Sequence, residues 1–388
     1  MPRAGPVNRD VRRARGALRR RIALVGLAFA AGCAVLTPIY LGPRSDHFDG
    51  VHFHNYEPTP IGAAGDAFRR VNPFREHGRW PRWEEVATDT PPKRVGVGGV
   101  RVTFVNHATV LIQTDSLNIL TDPVWSKSIG PFHGIGVRRH RPPGIRFEDL
   151  PPIDVVLVSH DHYDHMDVPT LRRLARRFHP RILTGLGNAE YLAVRGVAGG
   201  ENLDWWQSVA LSPDVRLTAV PARHWSARGI DDHDRTLWLG FVIDTPEGAL
   251  YFAGDTGYGR FLEMIHQRFP RIRFALLPIA PQRPRKPLAA RHMSAADAVR
   301  AARFLGARTA MAIHFGTFRQ GDDADREPVD SLREALAALG RPRCDEWFWA
   351  LRNGEARTLP AETRKQPDST TSPASGLERV RNNDGCTP

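Results

Sequence analysis

His160-Asp161-His162-Tyr163-Asp164-His165 follows, after Ser159, on the apolar run Val155-Val156-Leu157-Val158. A short apolar run bounded by polar residues reads as a buried strand, so the six residues form the loop at its end. From an extended backbone His160 and His162 point the same way and can share one cation. Asp164 and His165, past the turn, can reach a second. Neutral imidazole and carboxylate are the donors that borderline divalent metals such as zinc take, and iron or manganese fits the same set. Packing gives no reason to place three histidines and two aspartates at one strand end.

Working outward, short strands are expected at 100–105, 109–113 and 117–120. After the motif, the spacing of Leu171, Leu174 and Phe178 predicts a helix over 168–178. Strands are expected at 216–220, 237–243 and 249–253, a helix at 260–269 and a strand at 274–279. Ser294 and Asp297 match a capping box opening a helix to about residue 305. A strand at 309–313, a helix at 330–339 and a closing strand at 347–351 complete the reading. Early strands followed by alternating strands and helices imply an α/β fold of two packed sheets with helices on the outer faces. Further candidate residues also stand just after strands. His224 lies in Pro221-Ala222-Arg223-His224-Trp225, Asp255 follows Tyr251-Phe252-Ala253-Gly254, and His314 follows Met311-Ala312-Ile313. Loops at one edge of a rigid sheet scaffold are where binding residues collect.

The chain has 388 residues, 41% hydrophobic and 25% charged, which suits a globular body with a sizeable core. Its net charge of +12 is concentrated at the start. Residues 1–21 hold eight arginines against Asp10 alone, and no later Lys/Arg run is interleaved with aromatics. That distribution argues against a nucleic-acid partner. Residues 22–41 form an apolar run of bilayer-spanning length. Arginines ahead of it predict a cytoplasmic leader, a membrane anchor, and a catalytic part on the extracytoplasmic side, in the cell envelope. A cleaved signal peptide is the competing reading, and Ala30-Ala31-Gly32-Cys33 resembles a lipoprotein cleavage box. Residues 42–95 read as an irregular connector wrapping a catalytic domain at 96–360, and 361–388 as a disordered tail. Cys33, Cys344 and Cys386 are too scattered for a disulfide framework or a thiolate metal site.

His160, His162, Asp164, His165, His224, Asp255 and His314, in this order, resemble the ligand series of the metallo-β-lactamase superfamily. The similarity is greatest to the N-acylphosphatidylethanolamine-hydrolysing phospholipase D family. The signatures that carry it include Asn106-His107-Ala108-Thr109, Thr121-Asp122-Pro123, Leu203-Asp204-Trp205-Trp206, His224-Trp225, Phe252 to Tyr258, His292-Met293 and Met311 to Thr317. The resemblance runs from about Pro58 to Glu355. It implies a four-layer αββα sandwich holding two zinc ions. One would take His160, His162 and His224, the other Asp164, His165 and His314, with Asp255 between them. Paired cations clamp the attacking and leaving oxygens of a phosphodiester and bring bound water to ionise near neutral pH. His107 and Asp122 would orient ligands without ligating. His292 and Asp164 are the catalytic candidates, His292 as proton donor to a leaving alcohol.

The implied activity is hydrolysis of N-acylphosphatidylethanolamine to N-acylethanolamine and phosphatidic acid, with a phospholipid substrate and a membrane as partners. Lactones, cyclic phosphodiesters and other non-lipid substrates suit the same site, and a non-catalytic scaffold that kept the fold is the reading from another class. The chain departs from the family at Ala280 to Pro287, where aromatics give way to Arg283 and Lys286. Extra cations there favour an anionic headgroup. Trp205 and Trp206 read as core filler or as a wall under an acyl chain.

Overall fold

The computed structural model describes residues 40–58, 78–132, 134–229, 231–340 and 344–359. The chain first lays down β1 (Val100–Asn106), β2 (Thr109–Thr114), β3 (Leu117–Thr121), a hairpin of β4 (Ser128–Phe132) and β5 (Ile135–Arg138), β6 (Val155–Val158), β7 (Arg181–Gly185) and β8 (Gly200–Leu203). It continues with β9 (Ser208–Ala210), β10 (Arg216–Val220), β11 (Gly240–Thr245), β12 (Gly248–Phe252), β13 (Ile272–Pro278), β14 (Thr309–Ile313), β15 (Phe348–Trp349) and β16 (Ala356–Thr358). Helices are α1 (Val168–Phe178), α2 (Asn188–Val194), α3 (Phe261–Arg268), α4 (Arg285–Leu288), α5 (Ala295–Phe304), α6 (Glu327–Ala337) and α7 (Cys344–Trp347).

Two seven-stranded sheets result, ordered β16-β1-β2-β3-β6-β7-β8 and β15-β14-β13-β12-β11-β10-β9. Each is antiparallel over one half and parallel over the other, switching at β3/β6 and at β12/β13. Strand β6 shows why they stack. Val155 and Leu157 join the large core shared with the second sheet, while Val156 and Val158 join a second core with Leu171 and Leu174 of α1. A period of two therefore feeds two apolar layers from one short strand, both faces covered as parallel strands require. Each fully buried Leu or Val contributes about 1.5–3 kcal/mol. On the second sheet, α5 packs against β13 and brings Ala298, Val299 and Ala302 into the core.

The topology gathers strand ends. β1, β3 and β6 run the same way, as do β10, β12 and β14, so the residues after them share one edge of each sheet. Gly254, at the end of β12, has φ +58, and a Cβ there would lie 2.6 Å from that of Ser159. Only glycine lets the two sheet edges approach this closely.

Some expectations shift. The strand expected at 237–243 begins only at Gly240, because Leu237 and Leu239 donate instead to Leu186 and Ser159 across the seam. The helix expected at 330–339 starts at Glu327, where Pro328 suits the first turn. The closing strand is just Phe348–Trp349. Of the expected connector, residues 42–58 hold only isolated bridges and 78–95 hold no strand, helix or bridge, while 59–77 lie outside the described residues; yet Phe48 and Phe53 are core residues. Among the described residues no helix is long and apolar enough to cross a membrane. Apart from Tyr40 and Leu41, the segment expected to do so lies outside them, as do the leader and the tail.

Candidate metal centre

All seven residues of the expected ligand set converge. Metal-compatible donor atoms form two main clusters, His160 with His162 and His224, and His107 with Asp164, His165 and His314. Asp255 stands between them, its Oδ2 being 3.8 Å from His224 Nε2, 3.3 Å from His165 Nε2 and 2.9 Å from His314 Nε2.

Hydrogen bonds fix which nitrogen faces inward. Ser159 Oγ donates to Asp122 Oδ2 at 2.6 Å, so it accepts from His160 Nδ1 at 2.9 Å and leaves His160 Nε2 with a bare lone pair. His224 Nδ1 donates to the Arg291 carbonyl at 2.9 Å, His314 Nδ1 to the Ala280 carbonyl at 3.0 Å, and His165 Nδ1 to Asp122 at 2.6 Å. In the neutral ring each Nε2 is thus an acceptor, and it is turned toward further metal-compatible atoms. His160 Nε2 and His224 Nε2 lie 2.8 and 3.3 Å from His162 Nδ1, while His165 Nε2 and His314 Nε2 lie 3.1 and 3.4 Å from Asp164 Oδ2. Lone pairs facing one another in a buried site repel unless a proton or a cation lies among them. A tetrahedral cation with bonds of about 2.0–2.1 Å sets its ligands about 3.3 Å apart, close to these separations. The buried Nε2 atoms of His165 and His314 and Asp255 Oδ1 find no hydrogen-bond partner among the described residues. The donor set fits two cations.

Charge points the same way. Burial alone would raise the carboxyls of Asp164 and Asp255, but the surrounding imidazoles hold both well below the ordinary range. Burial drives His160 and His162 well down and His224 to about 4. His165 and His314 go the other way. Their burial favours the neutral form, yet the nearby carboxylates outweigh it, taking His165 well up and His314 to about 9. Without a metal, protons on these two imidazoles meet the demand for positive charge that the buried carboxylates set.

His107 and Asp122 occupy the supporting positions expected of them. His107 Nε2 lies 2.9 Å from Asp164 Oδ2, and burial keeps His107 neutral with a pKa of about 4, so it donates. Asp122 accepts from Ser159 and His165 together. His107, Asp122 and His314 all adopt positive φ, an uncommon conformation that collects at functional sites. His292, 13% exposed, places Nδ1 3.7 Å from Asp255 Oδ2. It belongs to a group with His224 and Asp255, and burial drives its pKa well down. Trp225 lines the rim, 4.3 Å from the His162 ring and stacked on His233.

Of the two added cations in the altered loop, one is taken up within the protein. Arg283 pairs with both carboxylate oxygens of Glu327 at 2.7 and 2.8 Å, and Arg285 binds Asp297 and the His292 carbonyl. These guanidinium groups are spent on the protein itself, while Lys286 is exposed. Trp205 is core filler, stacked on His47 with its Nε1 donating to the Trp238 carbonyl, whereas Trp206 is half-buried. Gln320, which donates to Asp164 Oδ2 at 2.5 Å, and Asn55, bonded to the His224 backbone, had no motif to announce them. Nor did the carbonyls of Ala280 and Arg291, since a backbone oxygen leaves no mark in sequence.

Comparison with known proteins agrees with this geometry. Residues 117–315 match the model of the beta-lactamase superfamily domain. The chain is 32% identical over 252 residues to N-acyl-phosphatidylethanolamine-hydrolyzing phospholipase D 1 of Caenorhabditis elegans, covering 62% of this chain and 70% of that one. It is 30% identical over 339 residues to an uncharacterized protein of Mycobacterium tuberculosis, covering 81% and 90%. A possible metal-dependent hydrolase from Veillonella parvula shares the fold with a TM-score of 0.53 at 16% identity, over 67% of this chain and 100% of that one. An α/β fold of two sheets, a His/Asp centre at their joint edge and these likenesses lead to one conclusion: the chain belongs to the metallo-β-lactamase superfamily and is a metal-dependent hydrolase.

Proposed function

We propose that this protein is a dinuclear zinc phosphodiesterase that hydrolyses N-acylphosphatidylethanolamine to N-acylethanolamine and phosphatidic acid. The observation that carries it is the pair of inward-facing donor clusters joined by Asp255. His160, His162 and His224 would hold one zinc, and Asp164, His165 and His314 the other, with Asp255 bridging, in the four-layer αββα sandwich of the superfamily. Bound there, two cations supply Lewis acidity and lower the pKa of water toward neutrality. The chain's own groups do the rest. Asp255 and Asp164 fix the spacing of the clusters and offset their charge. His107 and Gln320 hold Asp164 by hydrogen bonds at 2.9 and 2.5 Å. Hydrolysis forms a bond from water oxygen to phosphorus and breaks the bond from phosphorus to the ethanolamine oxygen. His292, kept neutral by its burial, takes up the proton released by the attacking water and delivers it to that departing oxygen, ending neutral again.

Lipid as substrate is supported by the similarity to the Caenorhabditis elegans phospholipase and by the apolar run at 22–41, which we read as a membrane anchor that places the body in the cell envelope. The test is a panel of N-acylphosphatidylethanolamine vesicles, a lactone and a small phosphodiester, given to the full-length protein. Release of N-acylethanolamine and phosphatidic acid is expected, lost together with bound zinc in Asp164→Asn and Asp255→Asn. Turnover confined to the lactone would overturn the lipid reading, and full activity in metal-depleted protein would overturn the metal centre.

A further inference from the structure

His224 is the member of the first cluster with the least regular support. It lies past the end of β10 at Val220, in a stretch whose described residues hold no regular structure up to Gly240. Its backbone N–H and carbonyl therefore have no strand to pair with, and buried backbone groups must be satisfied somewhere. Both go to one side chain. Asn55 Oδ1 accepts the His224 N–H at 3.1 Å, and Asn55 Nδ2 donates to the His224 carbonyl at 2.9 Å. A carboxamide presents one acceptor and one donor side by side, as a peptide unit does, so Asn55 stands in for a missing neighbouring strand. Its orientation is set by chemistry. Trp238 Nε1, which can only donate, also reaches Oδ1 at 2.8 Å, so the oxygen has to face this side.

Asn55 is itself held from both directions along the chain. Ahead of it, Phe48 and Phe53 are buried with ring centroids 4.5 Å apart, and the Phe53 N–H donates to the Asp234 carbonyl at 2.7 Å. His47 lies between Asp46 and Asp204, its Nε2 2.8 Å from Asp204 Oδ1, and its ring stacks on Trp205. Behind it, the Glu57 carboxylate accepts the Arg260 N–H. The strap of residues 40–58 is thus bolted down on each side of Asn55, and Glu57 and the Pro58 carbonyl also hold Arg223, next to His224.

We propose that Asn55 is a positioning residue for the metal centre, acting through His224, and that the strap is a working part of the site. This rests on the metal-centre reading given above. Asn55 fixes the backbone, the Arg291 carbonyl fixes the ring, and together they aim His224 Nε2 at His162 Nδ1. Partners of this kind typically carry about 10- to 100-fold in metal affinity.

The test is zinc affinity by chelator competition on full-length protein, comparing wild type with Asn55→Ala and Asn55→Asp. Thermal unfolding of the metal-free forms is followed alongside. The expected result is two sites in wild type, with one of them weakened about tenfold or more in Asn55→Ala and the other unchanged. Asn55→Asp keeps the acceptor for His224 and Trp238 but loses the donor, so it is expected to fall between. If Asn55→Ala does not fold, Asn55→Asp decides. A folded variant that binds both metals as wild type does overturns the role of Asn55 and leaves the metal centre standing. Wild type that binds no metal, or keeps full affinity in His224→Ala, overturns both.

Discussion

Asp122 accepts the Nδ1–H of His165 at 2.6 Å, and both side chains are wholly buried. The contact sets the ring's tautomer and raises the basicity of the nitrogen that faces the centre. Asp122→Asn replaces a charged acceptor with a neutral one. Zinc affinity at the cluster of His165 and His314 is expected to fall about 10- to 100-fold, measured by chelator competition. An unchanged affinity would show that the tautomer is held by something else.

His292 stands beside Asp255 without being among the seven expected ligands, and the proposed function makes it the carrier of the leaving group's proton. His292→Ala is expected to cut kcat about 10²- to 10⁴-fold while both metals stay bound. Steady-state kinetics and metal analysis on one preparation check this. Loss of metal in proportion to activity would make His292 a ligand.

The two clusters should respond differently to pH. In the metal-free protein His224 has a pKa of about 4, and His160 and His162 lie well down, so that cluster is neutral at pH 7 and its loading releases no proton. His314 has a pKa of about 9 and His165 is also raised, while Asp164 is already ionised, so below pH 9 the metal bond to His314 must displace a proton, as must the bond to His165 while that ring is charged. Affinity at this cluster is expected to rise with pH up to about 9, about tenfold per unit per proton displaced. Calorimetric titration in buffers of different ionisation enthalpy counts the protons. Equal release at both events would contradict the charge distribution described.

Ser294 Oγ accepts the Asp297 N–H at 3.1 Å, and Asp297 Oδ2 accepts the Ser294 N–H at 3.1 Å, closing a capping box on α5. Ser294→Ala is expected to cost about 1 kcal/mol in urea unfolding. A loss below a few tenths would mean the helix start is held by Arg285 and Asp297 alone.

Much of this was legible in the residues because the chemistry sits at strand ends and strands are written as apolar runs. The strands at Val155–Val158, Arg216–Val220 and Thr309–Ile313 and the helix Val168–Phe178 appear where their patterns place them. Arg181–Gly185 and Gly200–Leu203 did not announce themselves, since one is a five-residue parallel strand and the other, Gly-Glu-Asn-Leu, has almost no apolar content. At the centre, residue types named the expected ligands and Asp122 behind them, but the other partners that aim them are a serine, an asparagine and two carbonyls. Polar residues of that kind read as loop. The charge of Arg283 suggested a headgroup until Glu327, forty-four residues on, was seen to take it.

Neither half of the chain owns a complete set of ligands. Each cluster draws two of its expected ligands from the loop after β6 and one from the second sheet, while Asp255 from the second sheet touches both. Cations seated there would rivet the sandwich at its open end, so loading and the docking of the two halves are one event. A chain cut between β8 and β9 should yield two pieces that recognise each other far better in the presence of zinc than without it.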